Sequence, residues 1–114
     1  MIKPQITYRE FEKIDIRVGL VVKVEDFPEA RKPLYKITVD FGEGIGTKHS
    51  AVGATHFYKK EDLQDKLVLG LINMPPKQIG PFTSEFLTLG VSDGEGRCVL
   101  VVPDKKIPLG VKLY

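Results

Sequence analysis

The run from Ile14 to Glu25 constrains this chain more than any other feature. Its even positions are Ile14, Ile16, Val18, Leu20, Val22 and Val24, all apolar. Of the odd positions, Asp15, Arg17, Gly19, Val21, Lys23 and Glu25, only Val21 carries a large apolar side chain. On a helix this pattern would circle the whole circumference. On a strand it falls on one side, because successive side chains point to opposite faces. The segment therefore predicts a long strand buried on its even face. A strand of that length must bend to stay within a small domain, and Gly19, on the opposite face, is the candidate position for a bulge.

The remaining elements are shorter. Thr7-Tyr8-Arg9-Glu10 fits a capping box, predicting a short helix to about Lys13 with Phe11 turned inward. Phe27 to Pro33 holds two prolines and three charges and reads as a loop. Tyr35, Ile37, Val39 and Phe41 alternate with polar residues to give a second strand, which Gly42, Gly44 and Gly46 end in a turn. Thr47 to Thr55 is a weaker third strand, Lys59 to Lys66 a helical turn, and Leu67 to Asn73 a fourth strand apolar enough for burial on both sides. Met74 to Phe82, with three prolines and a glycine, is expected to be a long structured loop. Phe86 to Ser92 and Arg97 to Val102 form two more strands, joined as a hairpin by Asp93-Gly94-Glu95-Gly96. This order predicts an all-β fold: an OB-fold Greek-key β-barrel with a short N-terminal helix, a short helix between strands 3 and 4, and C-terminal extension strands, in one domain over residues 1–114.

Few chemistries are left open. Cys98 is the single cysteine, so no internal disulfide forms, and a reducing cytoplasm is the expected location. His49 and His56 have no carboxylate or cysteine at ligand spacing, so no metal site is expected. No phosphate-binding glycine loop, nucleophile elbow or other catalytic motif is present, so neither an enzyme nor a cofactor is expected. No secretory leader is expected at the N-terminus, and the longest apolar stretch, Leu67 to Ile72, is too short to span a bilayer. The net charge of +2 is small, so any nucleic acid would require the positive charge to gather on one face.

Several ordered strings then carry a family likeness. Asp15-Ile16-Arg17-Val18-Gly19, Phe27-Pro28-Glu29-Ala30-Arg31-Lys32, Val39-Asp40-Phe41-Gly42, Asn73-Met74-Pro75-Pro76-Lys77-Gln78 and Ser84-Glu85 together resemble the tRNA-binding domain family. Within it, Pro28 to Pro33, Pro75 to Phe82 and the ending Pro108 to Tyr114 are similar to the CsaA subgroup of export-related chaperones. The resemblance implies an OB fold, a homodimer, and binding of tRNA or another structured RNA, of unfolded preprotein peptides, or of both. Two departures bear on recognition. Relatives that bind tRNA carry an Arg-Gly-Val-Glu run where this chain has Gly80-Pro81-Phe82-Thr83, and Pro33 is an insertion.

The candidate ligand-binding residues are Arg31, Lys32, Asn73, Lys77, Gln78, Phe82, Ser84 and Glu85. Lysine and arginine in a loop at a barrel end suit phosphates. Asn73, Gln78 and Ser84 supply donors and acceptors for bases, ribose or peptide backbone, although Asn73 is equally suited to bracing the loop that it opens. Glu85 would accept from a base amine or ribose, or pair with a basic peptide residue. Phe82 offers either a stacking surface for a base or an apolar wall, against the simpler role of anchoring its loop. Ile2, Ile6, Tyr8, Phe11, Ile107, Val111, Leu113 and Tyr114 are more apolar than free tails usually are, and are the candidate two-fold interface. Two ligand classes follow: RNA, with affinity that falls steeply with salt, or, as the alternative, preprotein peptides bound by an export chaperone without physiological RNA.

Overall fold

The computed structural model describes residues 1–114. Its elements in chain order are α1 (Tyr8–Phe11), β1 (Ile16–Asp26), β2 (Tyr35–Asp40), β3 (Thr47–Val52), α2 (Lys60–Leu63), β4 (Leu67–Leu71), β5 (Lys77–Ile79), β6 (Phe82–Ser84), β7 (Leu87–Thr88), β8 (Gly90–Ser92) and β9 (Cys98–Leu100). Five strands form one antiparallel sheet in the order β3-β2-β1-β4-β7, and β5-β6 and β8-β9 are separate hairpins. The sheet curls into a nearly closed, OB-like barrel. Phe41, Val21, Val39, Leu63 and Val68 fill its centre, with Phe86 edge-on to Phe41 at 5.0 Å.

β1 is long enough to serve several partners. Residues 20–26 pair with β2, and residues 16–20 pair with β4 along the other edge. The bulge lies at Val22, where the register with β2 shifts between Val21 and Lys23, and not at Gly19. The inward face of the first half is therefore the odd one. Val21 is fully buried, Val22 is 39% exposed, and Val24 returns to the core beyond the bulge. Gly19 points inward too: a Cβ there would collide with Val39 Cγ1 and lie 2.9 Å from Phe41 Cε1. On the even face of this half, Val18 is buried and Ile16 and Leu20 are half-buried. Residues 110–113 run along the edge of β1 that β2 leaves free, with Gly110 N and Leu113 N donating to Val18 O and Ile16 O, and Val18 N donating to Val111 O. Just before that segment, Ile107, Pro108 and Leu109 line a hollow shared with Leu20 and Leu67.

Other expectations fare variously. The capping box is present, with Glu10 N donating to Thr7 Oγ1 and Thr7 N to Glu10 Oε1, but α1 stops at Phe11, which is half-buried, beside an exposed Tyr8. The 93–96 turn joins β8 to β9 as expected. The stretch from Met74 to Phe82 is not a loop throughout: Lys77–Ile79 and Phe82–Ser84 pair as a hairpin. Gly80, at φ +55°, supplies the positive φ that the first central position of a two-residue hairpin turn demands, and Pro81 follows it.

Candidate functional site

Two irregular segments meet at one end of the barrel. The β1–β2 loop, residues 27–34, faces the β5–β6 hairpin across an open groove of about 670 Å³ lined by Glu29, Arg31, Lys32, Lys77, Gln78 and Ile79, among others. Arg31, Lys32 and Lys77 are all unpaired, the ion pairs of the molecule lying elsewhere. Glu29 is the one acid on the wall. Three unpaired cations against one carboxylate give the groove a positive balance of charge. These loops, with the face of the second and third strands, are where OB barrels meet oligonucleotides.

The hairpin is braced for its position. Gln78 Nε2 donates to Gly80 O at 2.8 Å, and its Oε1 accepts from Thr83 Oγ1 at 2.7 Å, so its amide holds the turn that overhangs the groove. Phe82 faces the other side. It packs edge-on against the buried Phe27 at 5.4 Å and against His49 at 6.4 Å. Lys36 Nζ lies 5.5 Å from the centre of the Phe27 ring and 6.0 Å from that of Phe82. Phe82 thus anchors the hairpin to the β1–β2 loop and keeps part of its ring in solvent.

Ser84 and Glu85 close the barrel where β3 has no strand partner. Glu85 N donates to His49 O at 2.7 Å, and Glu85 Oε1 accepts from His49 N at 2.9 Å and contacts His49 Nδ1 at 2.8 Å. Ser84 Oγ accepts from Ala51 N at 3.3 Å, and inside the seam Thr88 Oγ1 donates to Ser50 Oγ. Partial burial pushes the Glu85 carboxyl up. The hydrogen bonds from the ring and backbone of His49 outweigh that and hold it below its usual range.

The structure brings Arg31, Lys32, Lys77 and Gln78 into one groove and sets Phe82, Ser84 and Glu85 behind it, along the seam. Asn73 sits apart. Its Nδ2 donates to Lys13 O at 2.6 Å and its Oδ1 accepts from Asp15 N at 2.9 Å, bracing the entry to β1. Of the terminal apolar residues, Ile2, Ile6, Tyr8, Val111, Leu113 and Tyr114 are exposed, whereas Phe11 and Ile107 are half-buried. Sequence reasoning weighed His49 as a metal ligand and gave neither it nor Lys36 a place among the binding residues. The alternation of β2 already placed Lys36 outward, but only the register, which sets Thr38 opposite His49, shows the two as diagonal neighbours on one face.

Comparison with known proteins agrees with this geometry. The family model described as "Putative tRNA binding domain" matches residues 16–112. The chain is 38% identical over 108 residues to the methionine–tRNA ligase of Pyrococcus furiosus, covering 95% of this chain but only 14% of that enzyme. Among solved structures, the CsaA chaperone protein of Picrophilus torridus superposes with a TM-score of 0.89 at 47% identity, covering 96% of this chain and all of that one. Chaperone CsaA of Bacillus anthracis gives 0.91 at 36% identity, covering 97% of this chain and all of the other. A match spanning most of the barrel, the groove loops and the seam settles the relationship: the chain belongs to the tRNA-binding domain family.

Proposed function

We propose that the chain is a non-catalytic module that binds structured RNA, tRNA first, as a two-fold dimer. The observation that carries this reading is the groove holding Arg31, Lys32 and Lys77 with no carboxylate paired to any of them. Unpaired cations lining one groove can neutralise phosphates along a strand, and neutralising phosphates releases condensed counterions. In this reading Gln78 shapes the hairpin, Phe82 anchors it with part of its ring available to a base, and Ser84, Glu85 and Asn73 frame the interface. A dimer doubles the positive surface, which offsets the small net charge.

The test is tRNA binding across a salt series. With three phosphates neutralised per groove, the log–log slope should be about −2 to −3. Lys77→Ala should lower affinity across RNA sequences and flatten the slope by about 1. A slope near zero, or a Lys77→Ala variant with unchanged slope, refutes the reading. The solved neighbours named as chaperones favour a second ligand, unfolded preprotein segments in the cytoplasm, held by the apolar walls Leu34 and Ile79 of the same groove. A peptide displacing tRNA would support a shared groove, and a peptide binding where tRNA does not would leave the chaperone reading alone.

A further inference from the structure

The outer face of β2 and β3 carries a group that the basic groove does not explain. His49 lies opposite Thr38 with Lys36 diagonal to it, and its side chain is 49% exposed beside Phe82. Glu85 fixes the ring. The carboxylate accepts from the backbone N of His49 with the same oxygen that meets Nδ1, so the imidazole cannot turn without breaking that contact. A carboxylate oxygen is an acceptor only, so Nδ1 carries the proton. In the neutral ring, Nε2 is then a bare acceptor, and no protein group donates to it.

An acceptor stands out in this neighbourhood. Lys36, Arg31, Lys32 and Lys77 are all donors, and phosphate satisfies donors alone. A nucleotide offers hydrogens only from its ribose 2′-hydroxyl and from its base, where pairing ties up the exocyclic amines. Resting on the RNA reading above, we propose that His49 is a specificity-determining residue: its Nε2 accepts a hydrogen bond from an unpaired nucleotide seated beside Phe82, through either a 2′-hydroxyl or an exocyclic amine. Glu85 is the positioning residue that keeps the lone pair turned outward, and Lys36 takes the adjoining phosphate.

Four probes test this: oligo-riboadenylate, its 2′-deoxy equivalent, oligo-ribouridylate and bulk tRNA. Binding is followed by fluorescence anisotropy. A ribo-over-deoxy preference in the parent protein identifies the hydroxyl as donor, and an adenylate-over-uridylate preference identifies the amine. His49→Phe keeps the backbone bonds to Glu85 and an aromatic edge toward Phe82 but removes Nε2. It should weaken the favoured oligonucleotide, and tRNA, by about three- to tenfold and leave the disfavoured oligonucleotide unchanged, in a protein that still folds although loss of the Nδ1 contact to Glu85 lowers its melting temperature. His49→Gln, which restores an acceptor, should recover part of the preference. Binding of every probe by His49→Phe as tightly as by the parent protein, or an equal loss on all of them, overturns the role of His49 while the salt slope keeps the RNA reading intact. A parent protein that binds neither oligonucleotide nor tRNA overturns the RNA reading itself, and this inference with it.

Discussion

Phe41 is fully buried, and three glycines give way around it. Added Cβ atoms at Gly19 and Gly70 would each lie 2.9 Å from its ring, and one at Gly110 would lie 2.6 Å from its carbonyl oxygen. Gly19 and Gly70 flank the slot because β1 and β4 are adjacent, with Gly19 opposite Val68 and Gly70 opposite Arg17. The absent side chains let a phenylalanine pair occupy the barrel centre. Gly19→Ala forces a methyl into Val39 and Phe41, and should destabilise the fold by about 1–3 kcal/mol, measured as a lowered denaturation midpoint. A substitution without effect would mean that Gly19 does not face the core. Cys98, whose thiol burial pushes up, belongs to the same interior and is a packing residue.

At the scale of elements, the seam between β3 and the β6–β7 junction is closed by side chains standing in for a ladder, and its strength follows pH. The Glu85 carboxyl is held below its usual range in the folded state, so its contribution is complete above the ordinary value of 4.5 and is lost as pH falls through the depressed folded value. Glu85→Gln should cost about 0.5–1.5 kcal/mol at neutral pH. That difference should vanish in acid, where the native carboxyl is protonated too; urea denaturation at pH 7 and below pH 4 checks both. The seam also marks where sequence reading runs out. The alternation of β2, the capping box and the 93–96 hairpin were legible because each depends on neighbours a few residues apart. The inward face of β1 was not. Its free edge pairs with a segment some ninety residues downstream, and a one-residue bulge exchanges the faces midway. The prolines between Met74 and Phe82 concealed a hairpin, since Pro81 occupies its turn and does not interrupt its strands. Arg31, Lys32, Lys77 and Gln78 could be named from ordered motifs, whereas Lys36 and His49 meet only through the cross-strand register.

For the molecule as a whole, the balance of charge and apolar surface points outward. Ile2 and Tyr114 are each 97% exposed, and Ile6, Tyr8, Val111 and Leu113 add to the apolar surface of the termini. The proposed dimer would cover this surface. Sedimentation should then show a dimer at micromolar concentration, and Ile6→Glu with Leu113→Glu should yield a folded monomer with weaker tRNA binding. A parent protein that sediments as a monomer at every concentration refutes the dimer. The pairing of residues 110–113 with the first half of β1 has a further consequence, for biosynthesis. A nascent chain emerges N-terminus first, so Ile16 and Val18 leave the ribosome long before the segment that hydrogen-bonds their free edge. Until that segment follows, the opening strand presents unpaired amides and carbonyls beside apolar side chains, which is the kind of edge that recruits other chains. The barrel can begin to form during translation, but β1 is sealed only once residues 110–113 have emerged, and the risk of aggregation is greatest before then.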